Sequence, residues 1–263
     1  MSGSIESSTQ DEIAFSFRQV TQQFDADASP VFRELNLSIA VGQFVTIVGP
    51  SGCGKSTLLR LMAGLQLPTF GTLERHPHAT GQQIGFVFQH PTLLPWRTAA
   101  QNLRLPLELG RVDTRHSSPI APHKPLDELL EQVGLSVQDA AKRPAQMSGG
   151  MQMRLSLARA LVTDPHVLLL DEPFAAVDDF LRMRLQEDIR RLHDDRKLTT
   201  VLVTHNIQEA VFLSDQVVVL TGSPAEVKTS LKIHWPGSRD ATFRNSDAFV
   251  SYLRQLSRSL FDQ

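Results

Sequence analysis

The chain has 263 residues, of which 41% are apolar and 21% are charged, and its formal net charge is −2. This length and composition are typical of a soluble globular protein with one large domain and an embedded subdomain, or at most two domains. The near-neutral charge argues against binding of nucleic acid through bulk positive charge, although a local basic patch would escape the count. The single cysteine, Cys53, excludes an internal disulfide and favours a reducing compartment.

The first segment, residues 1–12, is polar and acidic, and we expect it to be a disordered tail. It lacks the basic start and apolar stretch of a secretory signal. No apolar run in the sequence approaches the roughly 18 residues needed to span a membrane. If the protein works at a membrane, we therefore expect it to act through a partner.

Alternating apolar residues then predict two half-buried strands of an antiparallel sheet. They are Ile13, Phe15 and Phe17 in the first strand, and Leu35, Leu37 and Ile39 in the second. The next strand, "FVTIV" (residues 44–48), is mostly apolar and β-branched, which indicates burial on both faces.

A glycine-rich loop, "GPSGCGKST" (residues 49–57, the nucleotide loop), follows that strand and leads into a helix that Gly64 can end. This order is the context of a P-loop, whose backbone N–H groups surround phosphate oxygens at the positive end of a helix. We expect Lys55 to be solvated in the free protein and to reach the β- and γ-phosphates, and Ser56 to hold Mg²⁺. Cys53 also has the small side chain that a tight loop accommodates. The predicted phosphate-binding residues are Gly49, Pro50, Ser51, Gly52, Cys53, Gly54, Lys55, Ser56 and Thr57.

The middle of the chain changes character after the predicted strand "IGFVFQ" (residues 84–89). Residues 110–125 contain three prolines and few large apolar side chains, which indicates a loop or insertion. Helical spacing follows from Leu126 to Val133, and a further helix is predicted to begin near Ser148. We therefore predict a helical subdomain over about residues 90–163, inserted into a sheet domain.

The strand "VLLLDE" (residues 167–172) ends in two acidic residues. Ligands of such sheets lie at the carboxyl ends of the strands. We expect Asp171 to hold Mg²⁺ there and Glu172 to orient or deprotonate the attacking water.

An amphipathic helix over residues 181–192 and the strands "TVLVTH" and "QVVVL" follow. Strands that alternate with helices predict a mostly parallel sheet. A last helix is predicted over about residues 246–261, with Ser246 as its N-cap.

A second anion site is predicted in "MSGGMQMR" (residues 147–154, the signature segment). Each glycine near the start of a helix costs roughly 1 kcal/mol relative to alanine, so helix stability does not explain them. Close approach to an anion does, with Ser148 and the N–H groups of Gly149 and Gly150 facing phosphate.

With these motifs in this order, the chain resembles the ATP-binding subunit of an ABC transporter over nearly its whole length. In that family the signature segment of one subunit covers the ATP held by the P-loop of a second copy, in a head-to-tail dimer. The resemblance implies an ABC ATPase domain over residues 13–263: a P-loop α/β core with a mostly parallel sheet, an antiparallel β subdomain and an inserted helical subdomain. It also implies ATP and Mg²⁺ as cofactors, and ATP hydrolysis coupled to transport.

The resemblance assigns further site residues. Gln89 matches the Q-loop, with catalytic and metal-binding roles, and His205 matches the switch histidine. Asp178 matches the D-loop, and Phe24 matches the aromatic residue that stacks on adenine. This sequence departs from the family pattern at Met147, Met151 and Met153 of the signature segment and at Phe24, which replaces a tyrosine. The other eight histidines lack metal-ligand spacing, and we expect them on the surface or in loops.

The segment "PTLLPWRTAAQNLRLPLEL" (residues 91–109, the docking segment) resembles that of importer ATPases for nitrate, sulfonate and taurine. In those proteins it lies beside the groove that receives the membrane permease. The alternative is that Trp96 packs locally under the insertion. The resemblance therefore implies transmembrane permease subunits as partners, indirectly a solute-binding protein, and a peripheral location at the cytoplasmic face of the membrane, with no nucleic-acid partner.

Two other functions remain open from the sequence, and a third is disfavoured. Importers of thiamine precursors or riboflavin have similar ATPases. An ABC-type ATPase that acts on DNA or the ribosome is a further alternative, although no long coiled coil and no second such domain is evident. A non-hydrolysing nucleotide sensor conflicts with the presence of both Glu172 and His205.

Overall fold

The computed structural model describes residues 12–25, 28–75, 84–109, 124–175 and 177–261. Most of the predicted tail and residues 110–123 of the predicted insertion lie outside these ranges. The strands are β1 (Ile13–Gln22), β2 (Phe32–Ala40), β3 (Phe44–Val48), β4 (Phe70–Arg75), β5 (Ile84–Val87), β6 (Val167–Asp171), β7 (Thr199–Thr204), β8 (Gln216–Thr221) and β9 (Glu226–Lys232). The helices are α1 (Lys55–Met62), α2 (Ala99–Leu109), α3 (Leu126–Gln132), α4 (Gly149–Leu161), α5 (Asp179–Arg196), α6 (Ile207–Leu213), α7 (Ala241–Arg244) and α8 (Asp247–Phe261), with 3₁₀ turns at Val137–Ala141 and Pro144–Gln146.

The strands form two sheets. A three-stranded antiparallel sheet has the order β2-β1-β4, and a six-stranded sheet has the order β5-β6-β7-β3-β8-β9. All neighbours in the larger sheet run parallel except β9, which is antiparallel to β8. This topology places the carboxyl ends of β3, β6 and β7 beside one another at a single edge.

The core lies on both faces of the larger sheet, as the mostly apolar strand β3 predicts. Alternate residues of β3 belong to different clusters: Phe44 and Val48 pack with residues of α2 to α6 and α8. Val45 and Ile47 pack with the antiparallel sheet and α1. All four side chains are at most 1% exposed, and burial of each such side chain contributes about 1.5–3 kcal/mol.

Strand β1 exists where the sequence predicts it, but the predicted alternation is wrong. Ile13 is 47% exposed, whereas the next four residues are all buried. The reason is that β1 is the central strand of the small sheet, with β2 on one side and β4 on the other, and its pairing register shifts three times against β2. A left-handed residue, Gln19 (φ 52°), lies within one of these irregular stretches.

The segment between β5 and β6 is helical where the structure describes it, and the subdomain boundaries at about 90 and 163 remain a prediction. Helix α4 packs against α2, α3 and β5. At the other end of the chain, Ser246 Oγ accepts a hydrogen bond from Phe249 N at 3.1 Å, as expected of the N-cap of α8. No helix among the described residues is both long and apolar enough to cross a membrane.

The expectation that the remaining histidines lie on the surface or in loops is wrong for His193. This residue is in α5, is 3% exposed, and has Nδ1 3.0 Å from Thr200 Oγ1. Its ring also packs against Phe44, with 5.1 Å between the centroids. Burial, assisted by the nearby Arg190 charge, lowers the pKa of His193 to about 4.

Candidate active site

The nucleotide loop joins β3, in the middle of the parallel sheet, to α1. Gly54 has φ +94°, and a Cβ there would lie 2.3 Å from Val31 Cγ1 and 2.6 Å from Phe32 Cε1. A Cβ on Gly49 would lie 2.6 Å from the carbonyl oxygen of Leu220. The close approach of the loop to these neighbours is therefore open only to glycine.

Lys55 is not solvated, which corrects the expectation from the sequence. The residue is 6% exposed, and its Nζ donates hydrogen bonds to the carbonyl oxygens of Gly49 at 3.0 Å and Pro50 at 2.8 Å. A buried ammonium needs such acceptors because its desolvation is costly. Through these two hydrogen bonds, Lys55 stabilises the conformation of its own loop.

The fold places Ser56, in the first turn of α1, next to Asp171, the last residue of β6. Ser56 Oγ donates to Asp171 Oδ1 at 2.9 Å, and Asp171 is 3% exposed at the end of β6. Burial raises the pKa of the Asp171 carboxyl, and the hydrogen bond from Ser56 opposes that rise. Two adjacent ligands of octahedral Mg²⁺ at about 2.1 Å would lie about 3 Å apart, so this pair of oxygens fits that ion.

Glu172 and His205 form a second pair at the same edge. Glu172 Oε2 lies 3.3 Å from His205 Nδ1, and the Glu172 N–H donates to the carbonyl of Val203 at 2.9 Å. Glu172 has φ +46°, a left-handed conformation that costs on the order of 1–3 kcal/mol in a non-glycine residue. The Glu172 side chain is 18% exposed and that of His205 is 65% exposed, so both face an accessible space.

The other predicted site residues are accessible but are not part of these pairs. Gln89 is exposed two residues beyond β5, next to β6 in the sheet. Phe24, in the loop after β1, is 57% exposed. Asp178 is the N-cap of α5, where its Oδ1 accepts from Leu181 N at 3.0 Å. Among the described residues, no group of three or more histidine, cysteine or acidic side chains is placed to hold a metal.

The signature segment opens α4. Ser148 Oγ caps the helix by accepting from Met151 N at 3.2 Å, and both Ser148 and Gly149 are exposed. Arg154 supports this end of the helix, because Nε donates to the Gly150 carbonyl at 3.3 Å and Nη1 donates to that of Gly134.

The methionines of this segment have a structural explanation. Met147 and Met153 are 6% and 1% exposed, and Met151 packs partly buried against the core. These positions therefore contribute to packing, and Met151 has no amide with which to form polar contacts.

Sequence reasoning missed two side chains beside His205. Glu209 in α6 is 5% exposed, and Thr204 Oγ1 donates to its Oε2 at 2.6 Å. Burial raises the pKa of the Glu209 carboxyl, and the Thr204 hydrogen bond opposes that rise. Arg182 in α5 lies within 3.9 Å of the same carboxylate. The only signal in the sequence is an acidic residue four positions after His205.

A P-loop at the carboxyl edge of a parallel sheet, with Asp171 and Glu172 at the end of a strand of that sheet, defines a nucleoside triphosphatase of the P-loop class. Residues 32–175 match the family model described as "ABC transporter", and the chain belongs to this family. The chain is the ATP-binding subunit of an ABC transporter and an ATPase, which confirms the predicted family, fold class and enzyme class.

Two relatives named as ABC transporter or import ATP-binding proteins support this result. The chain is 42% identical over 235 residues to "Aliphatic sulfonates import ATP-binding protein SsuB 1" of Xanthomonas axonopodis pv. citri, covering 88% of each chain. It is 39% identical over 244 residues to "Uncharacterized ABC transporter ATP-binding protein MJ0412" of Methanocaldococcus jannaschii, covering 92% of this chain and 88% of the relative.

Two solved structures of another cassette are similar in fold. "Dimeric Structure of MJ0796, a Bacterial ABC Transporter Cassette" has a TM-score of 0.72 at 29% identity, covering 84% of this chain and 99% of that one. A post-hydrolysis state of MJ0796 "bound to ADP and Pi" has a TM-score of 0.71.

Proposed function

We propose that this ATPase drives import of a small solute of the sulfonate class, through a permease at the membrane. The proposed ATP hydrolysis rests on one observation: the pairs Ser56–Asp171 and Glu172–His205 both lie at the same edge of the sheet. The solute class is supported by relatives named as aliphatic sulfonate import ATP-binding proteins, at 39–42% identity. Nitrate and taurine are alternative solutes, because the docking segment also resembles that of nitrate and taurine importers.

Lys55 and the nucleotide loop bind the phosphates of ATP. In the free chain the ammonium of Lys55 donates hydrogen bonds to two carbonyls of the loop. Its charge is therefore already largely desolvated before ATP binds. Exchange of these acceptors for β- and γ-phosphate oxygens requires little new desolvation, which favours binding. The exposed Phe24 ring offers a face for the adenine.

Ser56 and Asp171 would hold Mg²⁺, with Gln89 as a further ligand. When bound, this ion would neutralise charge on the phosphate oxygens. Glu172 follows Asp171 directly, with a left-handed backbone, so both acidic residues lie at the same end of β6.

Glu172 accepts the proton of the attacking water as general base. Its carboxylate lies 3.3 Å from His205 Nδ1, which orients it, and the imidazole ring is 65% exposed, so it is accessible to a bound nucleotide. A positioned base of this kind contributes about 10²–10⁴ in rate.

The second phosphate site acts on the ATP of another copy, in a head-to-tail dimer. Ser148 and Gly149 are exposed at the start of α4, which packs on α2, α3 and β5, whereas α1 packs on β4, β6 and β7. The two phosphate-facing helix ends thus lie in different layers of the subunit. Asp178, exposed at the start of α5, belongs to the same dimer contact. The dimeric MJ0796 cassette is similar in fold.

The docking segment binds the permease. Trp96 is 68% exposed, so local packing does not account for it. The loop that presents it is fixed by Asn102, which is fully buried: Nδ2 donates to the carbonyls of Leu94, Arg97 and Thr98, and Oδ1 accepts from Leu94 N at 2.7 Å. A rigid loop with an exposed aromatic side chain is suited to anchor a partner. The ATPase thereby acts peripherally at the cytoplasmic face of the membrane, and a solute-binding protein delivers the solute on the other side.

Growth of the source organism tests the solute class. A strain that lacks this chain should lose growth on an alkanesulfonate as sole sulfur source and keep growth on sulfate. Complementation with the wild-type chain should restore growth, and complementation with a Glu172→Gln chain should not. Normal growth on unsubstituted alkanesulfonates, together with loss of growth on taurine as sole sulfur source or on nitrate as sole nitrogen source, would change the assigned solute and leave the ATPase assignment in place.

A further inference from the structure

Two loops of the proposed active site are joined through a half-buried arginine and a buried glutamate that no motif includes. One loop carries Val177 and Asp178 at the start of α5, and the other carries His205 and Asn206 directly after Thr204, the last residue of β7. Between them lie Arg182 on α5 and Glu209 on α6.

Arg182 is attached to the first loop. Its Nη2 donates to the carbonyl oxygen of Val177 at 2.8 Å, and its Nη1 lies 3.0 Å from Asp179 Oδ1. Asp178 is between these two residues. A displacement of this loop therefore moves the guanidinium directly.

Glu209 is attached to the second loop. Its Oε2 accepts from Thr204 Oγ1 at 2.6 Å, and the same hydroxyl accepts from the backbone N–H of Asn206 at 3.1 Å. Thr204 and Asn206 flank His205. The Glu209 carboxylate is therefore connected, through the Thr204 hydroxyl, to the residues on both sides of the histidine.

The link between the two halves is incomplete. Arg182 Nε lies 3.9 Å from Glu209 Oε1, and this nitrogen is buried without a hydrogen-bond partner. A hydrogen bond of usual length needs the two atoms about 1 Å closer. A buried unpaired N–H beside a largely buried carboxylate favours closure, because this N–H has neither solvent nor another acceptor to satisfy it.

Space for this movement exists. A cavity of about 110 Å³ is lined by Arg182, Glu209, Thr204 and His205, and by Glu172 and Phe174 on the catalytic side. The bridge and the catalytic pair therefore border the same small space.

We propose that Arg182 and Glu209 are positioning residues that couple the loop at Asp178 to the orientation of His205 and Glu172. Contact of a second copy with the loop at Asp178 shifts Arg182, completes its bond to Glu209, and fixes the backbone around His205. This inference rests on the proposed catalytic roles of Glu172 and His205. It predicts that hydrolysis is fast only when the loop at Asp178 is engaged.

Steady-state hydrolysis by the full chain with Mg-ATP tests the proposal. Arg182→Gln and Glu209→Gln should each lower kcat about 10- to 100-fold, since a misplacement of about 1 Å costs this much, with KM for ATP within about two-fold of wild type. Arg182→Lys should recover part of kcat. The double variant should be no slower than the slower single variant, because the two residues act through one bond.

Arg190→Gln is the matched control, because Arg190 is a partly buried arginine of the same helix that pairs with Asp194 and Asp215 away from the site. It should reproduce any general loss of stability without the loss of kcat. Equal loss of kcat in the control, multiplicative effects in the double variant, or a rise in KM alone would overturn the proposal. If a Glu209 variant does not fold, Thr204→Ser and Thr204→Val test the proposal instead, because only the serine variant keeps the hydroxyl that donates to Glu209. Thr204→Ser should have the higher kcat, and equal kcat in both variants would overturn the proposal. A wild-type chain without ATPase activity would instead contradict the proposed function.

Discussion

Replacement of Lys55 by methionine separates two roles of this side chain that the structure reveals. Methionine keeps much of the apolar stem but removes the ammonium. In the free chain this loses the hydrogen bonds to the carbonyls of Gly49 and Pro50, at 3.0 and 2.8 Å. With ATP present it also loses the contacts to the phosphates.

The size of the first effect follows from the bonds. Hydrogen bonds that involve a charged group contribute about 1.5–3 kcal/mol each, and relief of the buried charge offsets part of this. We expect Lys55→Met to lower the free energy of unfolding by about 1–3 kcal/mol. At roughly 2–4 °C per kcal/mol for a chain near this size, Tm should fall by about 2–12 °C.

The second effect is the excess of the phosphate contacts over the carbonyl contacts that the ammonium gives up on binding. An excess of about 1.4 kcal/mol per contact, for two contacts to charged oxygens, corresponds to a decrease in ATP affinity of about 100-fold. Thermal unfolding with and without Mg-ATP measures both effects. Wild type should gain about 2.7 kcal/mol at a ligand concentration of about 100 Kd, and the variant should gain no more than about 0.4 kcal/mol at that concentration.

The matched control is Lys232→Met, which changes an exposed lysine of β9 and should leave both quantities unchanged. A folded Lys55→Met chain that binds ATP as wild type does would refute the assignment of the nucleotide loop. A variant that loses ATP binding but unfolds at the wild-type temperature would refute the bracing role of Lys55.

Three further predictions follow from the site and the core. Lys55→Ala and Ser148→Arg chains should each be inactive, whereas their mixture should recover ATPase activity, because a mixed dimer keeps one intact composite site; no recovery in verified mixed dimers would contradict action across the dimer. Charged replacements of Trp96 and Leu94 should leave ATP binding within about two-fold of wild type and abolish pull-down of the permease, since only the docking segment changes; wild-type pull-down and uptake would show that the permease binds elsewhere. His193 has its pKa lowered from 6.5 to about 4, so the unfolded chain binds a proton that the folded chain does not, and stability should fall as pH decreases from about 6.5 to 4, by about 3 kcal/mol. Urea unfolding of wild type and His193→Gln at pH 7 and pH 4.5 measures this loss, and an equal loss in the variant would assign it to other groups.

The elements around the nucleotide loop were predictable because their signal is local. A mostly apolar strand, a glycine-rich loop and a helix follow one another within 19 residues, from Phe44 to Met62. The same holds for β6 with Asp171 and Glu172. Motif order then indicated the family, which the comparisons confirm.

Other elements had no local signal. Strand β9 is at the edge of the sheet, so its seven residues are exposed or only partly buried, and three of them are charged. Helix α2 contains Pro106, and the sequence around it indicates a loop as readily as a helix. In both cases tertiary packing decides the conformation.

The contacts within the site also could not be predicted from the sequence. The motif indicates what Lys55 binds in the complex but not that two carbonyls hold it in the free chain. The burial of His193 and of Glu209 depends on which neighbours the fold brings to α5 and α6. These contacts arise from residues far apart in the chain, or from backbone atoms that any residue supplies.

The most direct test of ATP hydrolysis by this site is phosphate release and size-exclusion chromatography of Glu172→Gln with Mg-ATP, beside an exposed acidic control, Glu226→Gln. The control should hydrolyse ATP at the wild-type rate. Glu172→Gln should bind ATP, release phosphate about 10²–10⁴ times more slowly, and elute as a dimer only when ATP is present. Phosphate release at the wild-type rate by Glu172→Gln would contradict the role of Glu172 as general base.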